Sequence, residues 1–334
     1  MSSSQQQQRR ALVTGAAGFV GRHLCRELAA RGVIVHGTRR PHPGQSVAMV
    51  EAAMLHEAEI SDRERLTAIL REVEPTEIYH LAGLADVGAA WRQREQTYRV
   101  NVWGCLELLE AIVTIGMTNA SLLVVGSSEE YGTVPAEEQP IHEDRPLAPR
   151  SPYGASKACQ EILACQYARA FGLGVLVARP FNHAGPGQQT GFVCSDFARQ
   201  IAAIELGLEE APLRVGNLSA QRDFTDVRDV VRAYADLIEK GRPGVAYNVC
   251  SGRPVPIEDI LGILRESAHQ RIAVARDSER MRPSDTPIFV GSSERLQRDT
   301  GWSPQIALEQ TLRDVLAYWR ATLGAEGASA RRGP

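Results

Sequence analysis

The chain has 334 residues, enough for one large domain or two modest ones, and its 43% apolar and 23% charged content fits a globular protein. A formal net charge of −3 leaves no basic footprint for nucleic acid or an anionic membrane, and 6% aromatic residues argues against a base-stacking surface. No stretch reaches a membrane span, the six cysteines form no C-x-x-C pair, and the eight histidines are scattered. A cytoplasmic protein with reduced thiols and no metal site is therefore expected.

In chain order, apolar strand-like runs alternate with helical patterns. Strands are predicted over 11–15, 33–39, 77–83, 122–128 and 175–182. Helices are predicted over 18–31, 62–72, 95–115 and 153–171. This alternation specifies βαβ units and a parallel sheet covered on both faces. After Asn182 the rhythm changes: GPGQQTGF reads as a loop, DFARQIAAIELG as a helix and PLRVGN as a short strand. RDFTDVRDVVRAYADLIEK then reads as strand, turn and helix, VAYNVCSG as one more sheet strand, and PIEDILGILRESA as a helix with an acidic first turn. The expected class is α/β: a Rossmann doubly wound parallel sheet with a smaller α/β C-terminal substrate unit. The sheet unit is expected over 9–181 with return segments near 222–250, and the second over 182–221 and 251–322. Residues 1–8 and 323–334 are expected to be flexible tails.

The first strand runs into TGAAGFVG, which sets Gly15, Gly18 and Gly21 at G-x-x-G-x-x-G spacing around Phe19 and Val20. The first glycine allows the tight turn, the second lets the backbone approach a pyrophosphate, and the third lets helix and strand pack closely. The helix start then offers free N–H groups to the phosphates. The second strand ends in Arg39 and Arg40, where a NAD site carries an acidic residue. Two arginines suit a 2′-phosphate instead, which favours NADPH and leaves NADH as the second candidate.

SPYGASK places Tyr153 and Lys157 four apart at a helix start, hence on one face. A lysine ammonium beside the phenol is expected to lower the phenol pKa, so that the tyrosine exchanges a proton with a carbonyl or alcohol oxygen. Ser127, after the strand LLVV, can hydrogen-bond the same oxygen. A tyrosine and lysine at this spacing are commonly a solvated face, but the glycine loop upstream favours catalysis. In GSSEEYG, Glu129 is ambiguous between a base and a support, Glu130 reads as a solvated loop residue, and Tyr131 and Gly132 as turn formers.

TGAAGFVG, HLAG, GSSEEYG, YGASK and RPFNHAGPGQ occur in this order, and with them residues 10–320 resemble the extended short-chain dehydrogenase/reductases that act on nucleotide sugars. The resemblance implies that Ser127, Tyr153 and Lys157 form the catalytic set and that Lys157 also holds the nicotinamide ribose. It places Glu59 of AEISD at the adenine, next to Ile60, and Leu81 and Ala82 along the cofactor ribose. It further implies diphosphate contacts from Asn182, Arg222 and Arg282, a ribose contact from Asp285 and a guanine-side position for Val193. Ala85 stands where relatives carry a serine, with Asp86 and Trp91 nearby. FNHAGPGQQTGFVCSDFARQIAAIE, VGNLSAQRDFTDVRD and MRPSDTP are similar to the branch of the family that handles GDP-linked deoxyhexoses, and they imply reduction of GDP-4-keto-6-deoxy-D-mannose to GDP-D-rhamnose, with a homodimer as is common in the family. Glu129 sits two residues after Ser127, as the base of a GDP-mannose dehydratase does. GPGQQTGF, however, replaces the dehydratase stretch, and the loop after Arg40 lacks its longer insertion. Another nucleotide-sugar epimerase or reductase is a further alternative, and a non-catalytic nucleotide-sugar or NADPH sensor is the reading from another class, against which the intact Ser127, Tyr153 and Lys157 set argues.

Overall fold

The structure is a computed structural model and describes residues 8–41, 53–277 and 286–331. Its main sheet has seven strands. These are β1 (Arg10–Thr14), β2 (Ile34–Arg39), β3 (Met54–Glu57), β4 (Glu77–His80), β5 (Ser121–Val125), β6 (Gly174–Pro180) and β10 (Ala246–Val249). The spatial order is β10-β6-β5-β4-β1-β2-β3 and every neighbouring pair is parallel. β3 is a strand that the sequence pattern does not predict. Its residues, MLHE, are partly exposed at the sheet edge and carry no apolar run.

Alternation along the strands feeds two cores. Ala11 and Val13 point to the face covered by α1 (Phe19–Ala30) and α8 (Val227–Lys240). Leu12 points to the face covered by α2 (Arg63–Val73), α5 (Gly104–Thr114) and α6 (Pro152–Phe171). The helix expected over 95–115 is α4 (Arg94–Tyr98), a π-helical turn over Arg99–Trp103 and α5 in sequence.

Strand order reverses between β1 and β4, which opens a crevice beyond their C-terminal ends. Gly15 follows β1, Leu81 follows β4, and Gly126 follows β5, so three of the motifs meet at this edge.

A second group of elements lies past β6. β7 (Asn182–Ala184), β9 (Gln221–Asp226), β11 (Pro254–Pro256) and β13 (Ile288–Phe289) form one small sheet, and β8 (Leu213–Val215) pairs in parallel with β12 (Val274–Arg276). A third core packs Phe197 and Ile201 of α7 (Val193–Glu205), Ile260 and Leu264 of α9 (Ile257–Glu266), and Leu312 and Leu316 of α11 (Leu308–Arg331). The tail expected from 323 is instead helical as far as Arg331. Leu323 is buried in this core, and the alanines that follow are strong helix formers. Residues 1–7 and 332–334 lie outside the described residues.

Candidate active site

The glycine loop follows from backbone contacts. Gly15 has φ +71°, and a Cβ there would meet Ala82 Cα at 3.0 Å. A Cβ on Gly21 would lie 2.4 Å from the Gly15 carbonyl oxygen, so the third glycine is required by helix packing. Gly18 is the N-cap of α1 and makes no side-chain cap, which leaves the first N–H groups of the helix to a ligand. Leu81 and Ala82 are held against this loop by Thr14, whose Oγ1 accepts from the Leu81 and Ala82 N–H groups at 3.2 and 3.1 Å. Thr14 also shares a 2.9 Å hydrogen bond with His80 Nδ1, in a ring that burial and the Lys157 charge push down to about 3. Phe19 stacks on His183 with ring centroids 6.1 Å apart, while Val20 packs against the first core. Phe19 thus ties the start of α1 to the segment after β6.

Arg39 is buried at the end of β2 and pairs with Glu57 at the end of β3, while its Nε makes no hydrogen bond. Arg40 is exposed. Glu57 carries no motif in the sequence, because only the β2–β3 pairing brings it to Arg39. Glu59 is exposed beyond β3, and Ile60 is buried against Gly104, where a Cβ would come within 2.6 Å of it. A glycine cradle, free helix N–H groups and a cation with an orphaned buried nitrogen fit a dinucleotide whose ribose carries a phosphate.

Ser127, Tyr153 and Lys157 come together at the C-terminal end of β5, all of them buried. Ser127 caps a short 3₁₀ turn, Ser128–Tyr131, and accepts from Glu129 N at 3.2 Å. Ser151 caps α6 by accepting from Gly154 N at 3.0 Å, with Pro152 at the first helical position. Burial holds the Tyr153 phenol above its ordinary value, and a hydrogen bond with Ser127 pulls in the opposite direction. This corrects the expectation of a phenol lowered by Lys157: burial dominates, and Lys157 is not among the groups that shift the phenol. Lys157 donates to the Val125 carbonyl at 2.9 Å, and burial lowers it to about 8.

The loop over these groups is held by Asn101, in the π-helical turn. Its Nδ2 donates to Leu84 O at 3.1 Å and to Ser156 Oγ at 2.9 Å, and its Oδ1 accepts from Leu84 N at 2.8 Å. The sequence signal for it is one amide among apolar helix positions, which reads equally as a surface residue.

Glu129 has part of its surface open to solvent at the turn, but the protein packed around its carboxyl desolvates it and raises the pKa, while Arg222 and a hydrogen bond from Ser151 oppose this. Arg222, on β9, donates from Nη1 to Gln221 O at 2.7 Å and Thr286 O at 3.1 Å. The expectation for Glu130 is corrected: it is fully buried. Its neighbours explain why, since its carboxyl closes a capping box with Ser127 instead of facing solvent. Tyr131 is also buried, donating to Asn248 Oδ1 at 2.7 Å, and Gly132 takes φ +68°.

Asn182 is exposed at the start of β7, and Val193 opens α7. Asp86 caps a short helix, α3 (Val87–Arg92), by accepting from Ala89 N at 2.9 Å, while Ala85 and Trp91 are exposed. Arg282, Asp285 and most of the loop after Arg40 lie outside the described residues. Among the described residues no group of His, Cys, Asp and Glu is arranged for a metal ion, and no helix is long and apolar enough to cross a membrane.

Comparison with known proteins places this geometry. The family model described as GDP-mannose 4,6 dehydratase matches residues 12–315. The chain is 37% identical over 317 residues to the GDP-6-deoxy-D-mannose reductase of Pseudomonas aeruginosa, covering 95% of this chain and 99% of that one. It is 29% identical over 347 residues to a GDP-mannose 4,6-dehydratase of Vibrio cholerae, covering 92% of each. Among solved structures, RMD from Pseudomonas aeruginosa complexed with NADPH superposes with a TM-score of 0.83 at 36% identity, over 94% of this chain and all of that one. The cofactor cradle, the Ser127, Tyr153 and Lys157 cluster and these similarities lead to one conclusion: the chain belongs to the GDP-mannose 4,6 dehydratase family of extended short-chain dehydrogenase/reductases, as an NAD(P)-dependent enzyme.

Proposed function

We propose that the protein reduces the 4-keto group of GDP-4-keto-6-deoxy-D-mannose to give GDP-D-rhamnose. One observation carries the reading: the Tyr153 phenol is buried, hydrogen-bonded to Ser127 and held above its ordinary pKa by burial, which suits a proton donor to an oxygen that gains charge. NADPH is the favoured cofactor and NADH the second. The loop of Gly15, Gly18 and Gly21 and the Arg39 guanidinium would hold it, and when bound it would supply the hydride. Ser127 and Tyr153 bind the carbon 4 oxygen, and Tyr153 gives it a proton. The Lys157 ammonium would hold the nicotinamide ribose and favour the phenolate left behind, which draws its proton back from solvent. Asn182, Arg222 and Arg282 hold the diphosphate, because a buried diphosphate needs fixed cationic donors. Asp285 takes the nucleotide ribose, Val193 faces the guanine, and Glu59 with Ile60 borders the adenine.

The second reading, a GDP-mannose 4,6-dehydratase, is favoured by Glu129, whose carboxyl stands beside Arg222 and Ser151 with a raised affinity for protons. The two readings separate in a simple assay. The keto sugar with NADPH gives stoichiometric NADPH oxidation under the first; GDP-mannose consumed without added NADPH supports the second and overturns the first.

The division into a cofactor unit and a nucleotide-sugar unit is part of this proposal. So is a homodimer, supported by the exposed Tyr98 and Trp103 on the helix that includes the π turn and Ile162 on α6. Cytoplasmic location is supported by six free cysteines.

A further inference from the structure

Glu130 is fully buried beside the catalytic serine, and the proposed reaction gives it no step. Its carboxyl folds back so that Oε1 accepts from the Ser127 N–H at 2.6 Å. The fold-back needs Gly126, because a Cβ there would lie 2.3 Å from that oxygen. The Glu130 backbone is fixed as well, with its N–H on Ser127 O at 3.1 Å and its carbonyl accepting from Ala148 N at 2.9 Å.

The other oxygen, Oε2, makes no hydrogen bond and lies 3.8 Å from Arg179 Nε. Arg179 is the connector. Its guanidinium clamps Glu161 through two bonds, Nε at 2.9 Å and Nη2 at 2.5 Å. Through Nη1 it donates to the Tyr131 hydroxyl at 2.8 Å. Glu161 lies four residues past Lys157 and eight past Tyr153, on the same face of α6. Tyr131 belongs to the turn that starts at Ser127. One buried arginine therefore ties the helix of Tyr153 and Lys157 to the turn of Ser127, and Glu130 carries that connection to the serine backbone. Burial and then the Glu161 charge raise the Glu130 carboxyl well above the usual range, and the Arg179 charge 3.8 Å away opposes them.

We propose that Glu130 is the positioning residue of the carbonyl-polarising serine: its carboxyl oxygen pins the Ser127 backbone and couples it through Arg179 to α6, so that Ser127 and Tyr153 meet on one oxygen. This rests on the reductase reading above.

The test compares E130Q, E130D and E130L with the wild-type enzyme, using the GDP-linked 4-keto-6-deoxy sugar and NADPH. Gln keeps the acceptor at the same reach, so E130Q retains kcat within about threefold. Asp is too short to reach the Ser127 N–H, and Leu has no acceptor. Both lose kcat by on the order of 10–100-fold, while KM for the sugar and the NADPH dissociation constant, read by nucleotide fluorescence, stay within about threefold. Thermal unfolding is recorded for each variant. If E130L fails to fold, the Gln and Asp pair decides. Equal kcat for E130Q and E130D overturns the proposal, as does a folded E130L with wild-type kcat. Tyr153→Phe is measured alongside: an active Tyr153→Phe enzyme sinks the reductase mechanism itself, whereas an inactive one beside a fully active E130L or E130D sinks only the role of Glu130.

Discussion

A Cβ on Gly154 would lie 2.5 Å from the carbonyl oxygen of Glu129, so the helix carrying Tyr153 and the turn carrying Ser127 touch backbone to backbone. The glycine of the Y-G-x-x-K segment is there for that approach. Replacing a helical glycine by alanine ordinarily stabilises by about 1 kcal/mol. Here the added methyl has to push the turn away from the helix, and the separation opens the gap between Ser127 and Tyr153. Gly154→Ala is expected to lower the unfolding temperature and to cut kcat by about tenfold or more, with NADPH affinity close to wild type. A stabilised variant with full activity would show that the two elements have room to spare.

In the proposed function Arg39 takes the extra phosphate of NADPH, and Glu57 holds one edge of its guanidinium. Losing a charge-assisted contact costs about 1.5–3 kcal/mol, so Arg39→Leu is expected to weaken NADPH binding by roughly 10–100-fold. NADH has no such phosphate, and its dissociation constant stays near the wild-type value. Equal losses for the two nucleotides in a fluorescence titration would remove Arg39 from cofactor selection.

Lys157 has its pKa lowered by burial from 10.5 to about 8. Its ammonium is present below that pH and is lost above it, so kcat is expected to fall through a single ionisation near pH 8. Stability moves the other way. Between about pH 8 and 10.5 the unfolded chain holds a proton that the folded chain has released, so the Lys157 contribution to folding rises with pH across that window. Denaturant unfolding of wild type and Lys157→Met across the window checks the sign: the variant loses that rise. A kcat that stays flat to pH 10 would take the ammonium out of the mechanism.

The parts that were legible in the sequence are those whose cause is local. Gly15, Gly18 and Gly21 announce a strand-to-helix turn because glycine spacing is itself the geometry, and Tyr153 and Lys157 share a face because helices repeat. The parts that were not legible depend on pairings between distant segments. β3 is an edge strand of partly exposed residues, and the Glu57 contact with Arg39 exists only through it. Asn101 serves the site from a π-helical turn that no periodicity marks. Glu130 reads as polar and hence solvated, because nothing nearby in sequence names Arg179, 49 positions on, as the group it approaches. The phenol departs from expectation for a related reason: helix spacing places the lysine beside the tyrosine, but desolvation belongs to the whole fold.

The destination of the hydride separates the two chemistries most directly. With NADPH deuterated at the transferable position and the GDP-linked 4-keto-6-deoxy sugar as substrate, mass spectrometry and NMR of the product are expected to show one deuterium, at carbon 4 of the hexose. Product formed without deuterium at carbon 4, or no reaction with the keto sugar while GDP-mannose is consumed, would contradict the reductase reading.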